Sequence, residues 1–356
     1  MKYAQVILEN GVRITGNMFA YQAEVIGEIV FVTNVVGYQE VLTDPAYAGK
    51  IVVMTYPLVG NYGIILDDME ALNSRVKAVI VREKCEKPNN FRCEMEFAGF
   101  LKQNKVVGLE GVDTRQITKQ IKNHGKMKAI ISARDIDDKT AKQMFEGYAE
   151  PDTVGEISTK NEYTVGSGTN HVAVLDFGVT MCFLRTLINK DFKVTVFPAQ
   201  TPADTILKSE IQALILSDGP GFSVSTGQAE KTVARLLGRL PVLGIGLGQN
   251  IAARACGLTV KPLKYGRNGS NHPVKGAGTS KIYITTQHES YYIDGAGEDF
   301  EVTYTNLSDG TIAGIKHKIF PLEGVSFIPD GEDIVGGTGF IYNDFKLQIE
   351  GVFIGA

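Results

Sequence analysis

From His171 onward the chain alternates short apolar runs with helix-like segments, and that alternation leaves few folds open. HVAVLDFG reads as a buried strand ending in glycine, VTMCFLRTLINK as a helix and KVTVFPA as a strand. TPADTILKS begins a helix, with Thr201 as N-cap and Pro202 in its first turn. ALILSDGPG is a strand with a glycine-rich exit, and TGQAEKTVARLLGRL is a helix. Strands alternating with helices imply a parallel sheet covered on both faces. Function in such sheets gathers at the carboxyl ends of the strands. The loops to inspect are therefore 218–222 and 244–250.

The second loop lies in PVLGIGLGQNIAARACG, residues 241–257. A short apolar strand runs into a glycine-flanked turn, and a small-residue helix follows, ending at the C-cap glycine Gly257. Strand, tight turn and helix are how an α/β fold raises a nucleophile above its sheet. Here the residue at the tip is Gly246, which has no side chain.

Residues 1–150 are strand-rich. AQVILENGVRITGNMF is a hairpin pattern with Asn10-Gly11 at its turn. AGFLKQNKV and TRQITKQIKNHG read as amphipathic helices, the second stopping at Gly125. Residues 151–170, polar and rich in Gly, Ser and Thr, read as a linker to a second domain over 171–356. A chain of 356 residues suits two domains. The tail from about 259 is richer in β pattern and ends in a helix around 342–349.

Composition bounds the function classes. A net charge of −4 argues against nucleic acid as a main partner. No apolar run approaches the roughly 20 residues needed to cross a bilayer, so no membrane role is expected. No signal-peptide pattern opens the chain, and a cytoplasmic location is the default expectation. The four cysteines, Cys85, Cys93, Cys182 and Cys256, form no CxxC pair and are expected as free thiols. Cys and His spacing lacks a metal-ligand pattern, and no cofactor is expected.

Several stretches resemble one family over nearly the whole chain: GEIVFVTNVVGYQEVLTDPAY (27–47), TYPLVGNYG (55–63), GVDTRQITKQIKNHG (111–125), VLDFG, FPAQT, LSDGPG, NGSNHPVK (268–275) and SDGTIAGIKHK (308–318). The sequence is similar to the small, amidotransferase subunit of carbamoyl-phosphate synthetase. The resemblance implies an α/β fold: a β-rich N-terminal small-subunit domain and a flavodoxin-like class I glutamine amidotransferase domain with a mostly parallel sheet. It also implies glutamine hydrolysis feeding ammonia to an ATP-using large subunit, for carbamoyl phosphate in arginine or pyrimidine synthesis.

The family's elbow reads G-(I/V)-C-L-G-H-Q, and its cysteine attacks glutamine. A histidine moves the proton and a glutamate two residues later orients it. Carried onto this chain, the nucleophile position is Gly246, the histidine position Ile328 and the glutamate position Asp330. Ile328 cannot relay a proton, so no general base remains there. The family's substrate-holding S-Q-N-H-G-(F/Y) reads Thr286, Gln287, His288, Glu289, Ser290, Tyr291. The elbow's His and Gln are Gln249 and Asn250, a substrate-contacting serine of the first domain is Ala46, and the residues after GPG are Phe222 and Ser223. Gly219, Gly221 and Leu247 survive from the oxyanion region, and the N–H groups of Gly221 and Leu247 are expected to remain available.

The expected reading is a glutaminase-inactive partner of the large subunit, with a degenerate glutamine pocket. Two alternatives stand beside it. One is a regulatory protein binding another small molecule in that pocket. The other is a hydrolase with a relocated nucleophile, His288 and Glu289 serving Cys182 or Cys256. The ordinary readings are that both cysteines pack as small hydrophobes, that His288 is a solvent-exposed or hydrogen-bonded loop residue, that His272 is structural and that His124 and His317 lie on the surface.

Overall fold

The computed structural model of the protein describes residues 2–330 and 337–351. Residues 331–336 and 352–356 of the expected second domain lie outside the described residues. The chain forms two compact units, 1–151 with 264–268, and 152–263 with 269–356.

In the first unit β1 (Lys2–Leu8) and β2 (Arg13–Met18) form the expected hairpin, Ile7 opposite Arg13, with Gly11 at a φ of 87° in the turn. There follow β3 (Val25–Val32), α1 (Tyr38–Thr43), β4 (Ile51–Met54), β5 (Leu58–Val59), β6 (Ala78–Ile80), β7 (Glu83–Lys84), α2 (Phe97–Gln103), β8 (Val107–Glu110), α3 (Thr114–His124), β9 (Met127–Ser132) and α4 (Asp138–Gly147). Seven strands close into a barrel in the order β1-β2-β8-β6-β4-β3-β9. Ile29 and Phe31 of β3 join one core while Val30 and Val32 join another, against α1 and α2. Burial on both faces explains why these strands read as continuous apolar runs. Helix α3 starts at Asp113, whose carboxylate accepts the Gln116 N–H at 2.9 Å, and stops at Gly125 with a φ of 91°. Its Ile117 and Ile121, one turn apart, pack into the core that Ile29 and Phe31 share.

The second unit comprises α5 (Thr153–Ile157), β10 (Tyr163–Val165), β11 (Asn170–Asp176), α6 (Met181–Asn189), β12 (Phe192–Pro198), α7 (Ala203–Leu207), β13 (Ala213–Leu216), α8 (Thr226–Leu236), β14 (Val242–Ile245), α9 (Leu247–Ala255), β15 (Val260–Gly276), β16 (Ile282–Ile293), β17 (Phe300–Asn306), β18 (Ile312–His317), β19 (Leu322–Val325) and α10 (Phe340–Ile349). Its ten-stranded sheet runs β10-β12-β11-β13-β14-β19-β18-β17-β15-β16. The stretch β12-β11-β13-β14-β19 is parallel. That second-first-third-fourth-fifth order is the flavodoxin-like one. Val172 and Val174 face α6 and α10, whereas Ala173 and Leu175 face α7, α8 and α9. The fold is therefore the α/β arrangement that the strand–helix alternation implies.

Two local readings need correction. Residues 151–170 are not a bare linker. Val154 is fully buried in the core, Asp152 Oδ1 caps α5 by accepting the Gly155 N–H at 3.2 Å, and β10 pairs with β12. One buried valine and a three-residue strand are too short to show as periodicity. Helix α7 begins one residue late, capped by Pro202. Thr201 is turned inward instead, its carbonyl accepting the Thr232 hydroxyl at 2.9 Å.

Candidate functional site

The elbow forms as the sequence suggests. Buried β14 delivers Gly246, whose N–H donates to the Val325 carbonyl at 2.8 Å, and α9 starts at the next residue. Gly246 has φ 53° and ψ −114°, a combination that strains any residue with a Cβ. Gly248 is also required, since a Cβ there would collide with the Leu216 carbonyl. The pedestal thus keeps the shape of a nucleophile turn.

What fills its tip is Asp218, on the loop leaving β13. Leu247 N–H donates to Asp218 Oδ1 at 2.9 Å. A Cβ added to Gly246 would overlap that same Oδ1 and the Asp218 Cγ. On its other side Oδ2 lies 3.6 Å from His288 Nδ1, with the two side chains only 10% and 9% exposed. The Ser217 hydroxyl accepts from the Phe177 N–H at 2.9 Å and donates to the Asp218 carbonyl at 3.0 Å, which holds the loop in place. The N–H of Leu247, expected to remain available to an oxyanion, is therefore already committed to a carboxylate. Gly219 packs so closely on the Phe177 carbonyl that no side chain fits, and Gly221, at a φ of 128°, faces Tyr291.

The remaining degenerate positions are built into structure. Ile328 donates its N–H to the Thr286 carbonyl at 2.9 Å and packs half-buried against the core beside Phe327. The histidine position is thus an apolar packing position. Asp330 is exposed; its carbonyl accepts from Thr338 and Gly339, each at 2.8 Å. Gln249 and Asn250 are buried at 1% and 3% exposure. Gln249 presses its side chain over Gly324, and neither end of its amide has a hydrogen-bond partner among the described residues. Gln287 bonds Thr285 and Asn306 at 3.0 and 2.9 Å, so it serves the sheet. Tyr291 meets Phe222 edge-on at 4.9 Å, and the Arg254 guanidinium covers the Phe222 ring at 4.6 Å. Ser290 is half-buried. Ala46 sits in the first unit, buried in a turn whose N–H bonds Asp44 at 2.8 Å.

The cysteines offer little to a relocated mechanism. Burial pushes the Cys256 thiol up to about 11, away from the thiolate that nucleophilic attack requires. Cys182 does not pack as a core hydrophobe as expected; it is exposed on α6. His288 is not an exposed loop residue: it lies on β16, its side chain 9% exposed and its Nδ1 3.6 Å from Asp218 Oδ2. His124 is exposed as expected, but His317 is not a surface residue. It lies 8% exposed between the Phe300 and Phe320 rings, and its Nδ1 accepts from the Ile319 and Phe320 N–H groups at 3.1 and 3.2 Å.

Asp218 is the site residue that sequence reasoning missed. The SDGPG loop drew attention to its glycines as oxyanion donors. The available signal was a carboxylate placed directly before those glycines, opposite an elbow with no side chain. No helix among the described residues is long and apolar enough to cross a membrane.

Comparison with known proteins agrees with this anatomy. Residues 6–131 match the family described as carbamoyl-phosphate synthase small chain, CPSase domain, and residues 173–347 match glutamine amidotransferase class-I. The carbamoyl phosphate synthase small chain of Clostridium perfringens is 42% identical over 342 residues, covering 96% of this chain and 98% of that protein. That of Bacillus cereus is 37% identical over 349 residues, 97% of this chain and 96% of that one. The pyrimidine-specific small chain of Halalkalibacterium halodurans is 38% identical over 350 residues, 97% of each.

Proposed function

Because the chain belongs to the carbamoyl phosphate synthase small-chain family, we propose that it is a glutaminase-inactive small chain that partners an ATP-using large subunit. Carbamoyl phosphate would then be made from ammonia, bicarbonate and ATP in the cytoplasm. The observation that carries the reading is the Asp218 carboxylate over Gly246. Covalent hydrolysis of glutamine needs a nucleophile, a base and an open oxyanion site. This chain has Gly246 for the first, Ile328 for the second and Asp218 in the third.

The family match spans both domains, while the positions that the resemblance gives to catalysis hold Gly246, Ile328 and Asp330. A lasting complex buries well over about 1,200 Å² in total, so it constrains broad surfaces, whereas catalysis constrains single side chains. That contrast supports a retained docking role. Analytical ultracentrifugation of this chain with the large subunit of the same organism tests it. A joint species is expected, with a change in ammonia-dependent synthesis when the chain is added. Separate sedimentation at micromolar concentration, with no kinetic effect, would favour a regulatory protein that binds a small molecule in the degenerate pocket.

A further inference from the structure

The sheet face that carries α6 and α10 leaves a cavity of about 650 Å³ beside α10, within the size range of small-molecule sites. Its walls are apolar, with Phe320, Pro321, Val325, Phe340 and Ile341 among them. Its polar end is unusual. Glu323 is held there, its Oε1 accepting from the Lys316 ammonium at 2.7 Å and from the Gln348 amide N–H at 2.7 Å.

Two further polar groups, the Asp344 carboxylate and the Tyr304 hydroxyl, line the cavity without a hydrogen-bond partner among the described residues. Asp344 and Gln348, one turn apart on α10, share a face of that helix. Asp344 makes no hydrogen bond among the described residues, whereas the Gln348 Oε1, which also accepts none, is closed off from solvent. The Tyr304 hydroxyl likewise bonds nothing among the described residues and lies close enough to Asp344 and Glu323 to feel both carboxylates. Burial first, and the Glu323 charge second, push the Asp344 carboxyl above the usual carboxylate range, while Lys316 works in the opposite direction. Two carboxylates thus face one ammonium. The neighbouring cation, Lys318, points elsewhere, onto the Glu298 carbonyl at 2.6 Å. His317 turns its Nδ1 to the backbone, where it accepts from the Ile319 and Phe320 N–H groups.

We propose that this cavity binds a small molecule with an apolar body and a primary ammonium head, the ammonium held by the Asp344 carboxylate and the Tyr304 hydroxyl. A primary ammonium carries three donors and no acceptor, which suits a carboxylate and a hydroxyl that lack donors. It also supplies the missing positive charge at the polar end. An anionic head would meet Asp344 and Glu323, and a neutral hydrocarbon would leave the acceptors unpaired in an apolar setting.

Isothermal titration calorimetry with phenethylamine as probe and 3-phenylpropionate as its anionic counterpart tests this. The full chain is expected to bind the amine and not the acid. Asp344→Asn, half-exposed and free of native partners, should weaken amine binding about tenfold or more. Tyr304→Phe should weaken it to a lesser degree, and melting curves check that both variants fold. No binding of phenethylamine at millimolar concentration would overturn the proposal. So would equal affinity in Asp344→Asn, or equal affinity for the acid.

Discussion

The Asp218 carboxylate occupies the space that a side chain on Gly246 would need. Its Oδ1 accepts the Leu247 N–H at 2.9 Å and would overlap any Cβ attached to Gly246. The missing nucleophile and the inserted carboxylate are therefore one structural change. A side chain at Gly246 can be accommodated only by displacing Asp218.

Gly246→Cys is accordingly expected to be both inactive and destabilising. The new Cβ meets Asp218, and a φ of 53° with a ψ of −114° is strained for cysteine. Strain and overpacking of this kind each cost about 1–3 kcal/mol, readable by urea denaturation. Combining it with Asp218→Ala should recover part of the loss, with a coupling of at least about 0.5 kcal/mol. Strict additivity would contradict the overlap. Ile328→His and Asp330→Glu added to that pair make the fairer attempt at activity. Family-like turnover from Gly246→Cys alone would show that Ile328 does not matter.

Asp218→Ala leaves the Leu247 N–H without its acceptor in a nearly closed site. An unsatisfied buried donor costs about 1–3 kcal/mol. Asp218→Asn keeps an oxygen for that N–H and should lose less. If the two variants were equally stable, the hydrogen bond to Leu247 would not be what holds this loop.

Much of this was legible in the sequence, and the exceptions have physical causes. Strand–helix alternation gave the second sheet because buried parallel strands are apolar throughout, as Val172–Leu175 are. The hairpin at Gly11 and the end of α3 at Gly125 were readable because positive φ selects glycine. Closure of the first barrel was not, since pairing β1 with β9 joins residues far apart in sequence. Asp218 escaped because its role exists only across the turn from Gly246. His317 escaped because one imidazole among charged neighbours gives no hint of the two rings that enclose it.

Cys256 supplies a pH test. Burial raises its thiol to about 11, so the folded protein holds that proton more tightly than the unfolded chain. The stabilisation is complete below the unfolded value, about 8.5 for a free cysteine, and is lost as pH rises through about 11. Wild-type stability should therefore fall across that alkaline window more steeply than that of Cys256→Ala. Iodoacetamide at pH 8 should label exposed Cys182 well before Cys256. Rapid native-state labelling of Cys256 would mean that its thiol is activated.

The measurement that bears most directly on the account is glutamate release from glutamine, by this chain alone and with its large subunit. The account predicts none above background in either case, while ammonium supports carbamoyl phosphate synthesis by the pair. Glutamine turnover that Cys256→Ala or Cys182→Ala abolishes would contradict it and establish a relocated nucleophile.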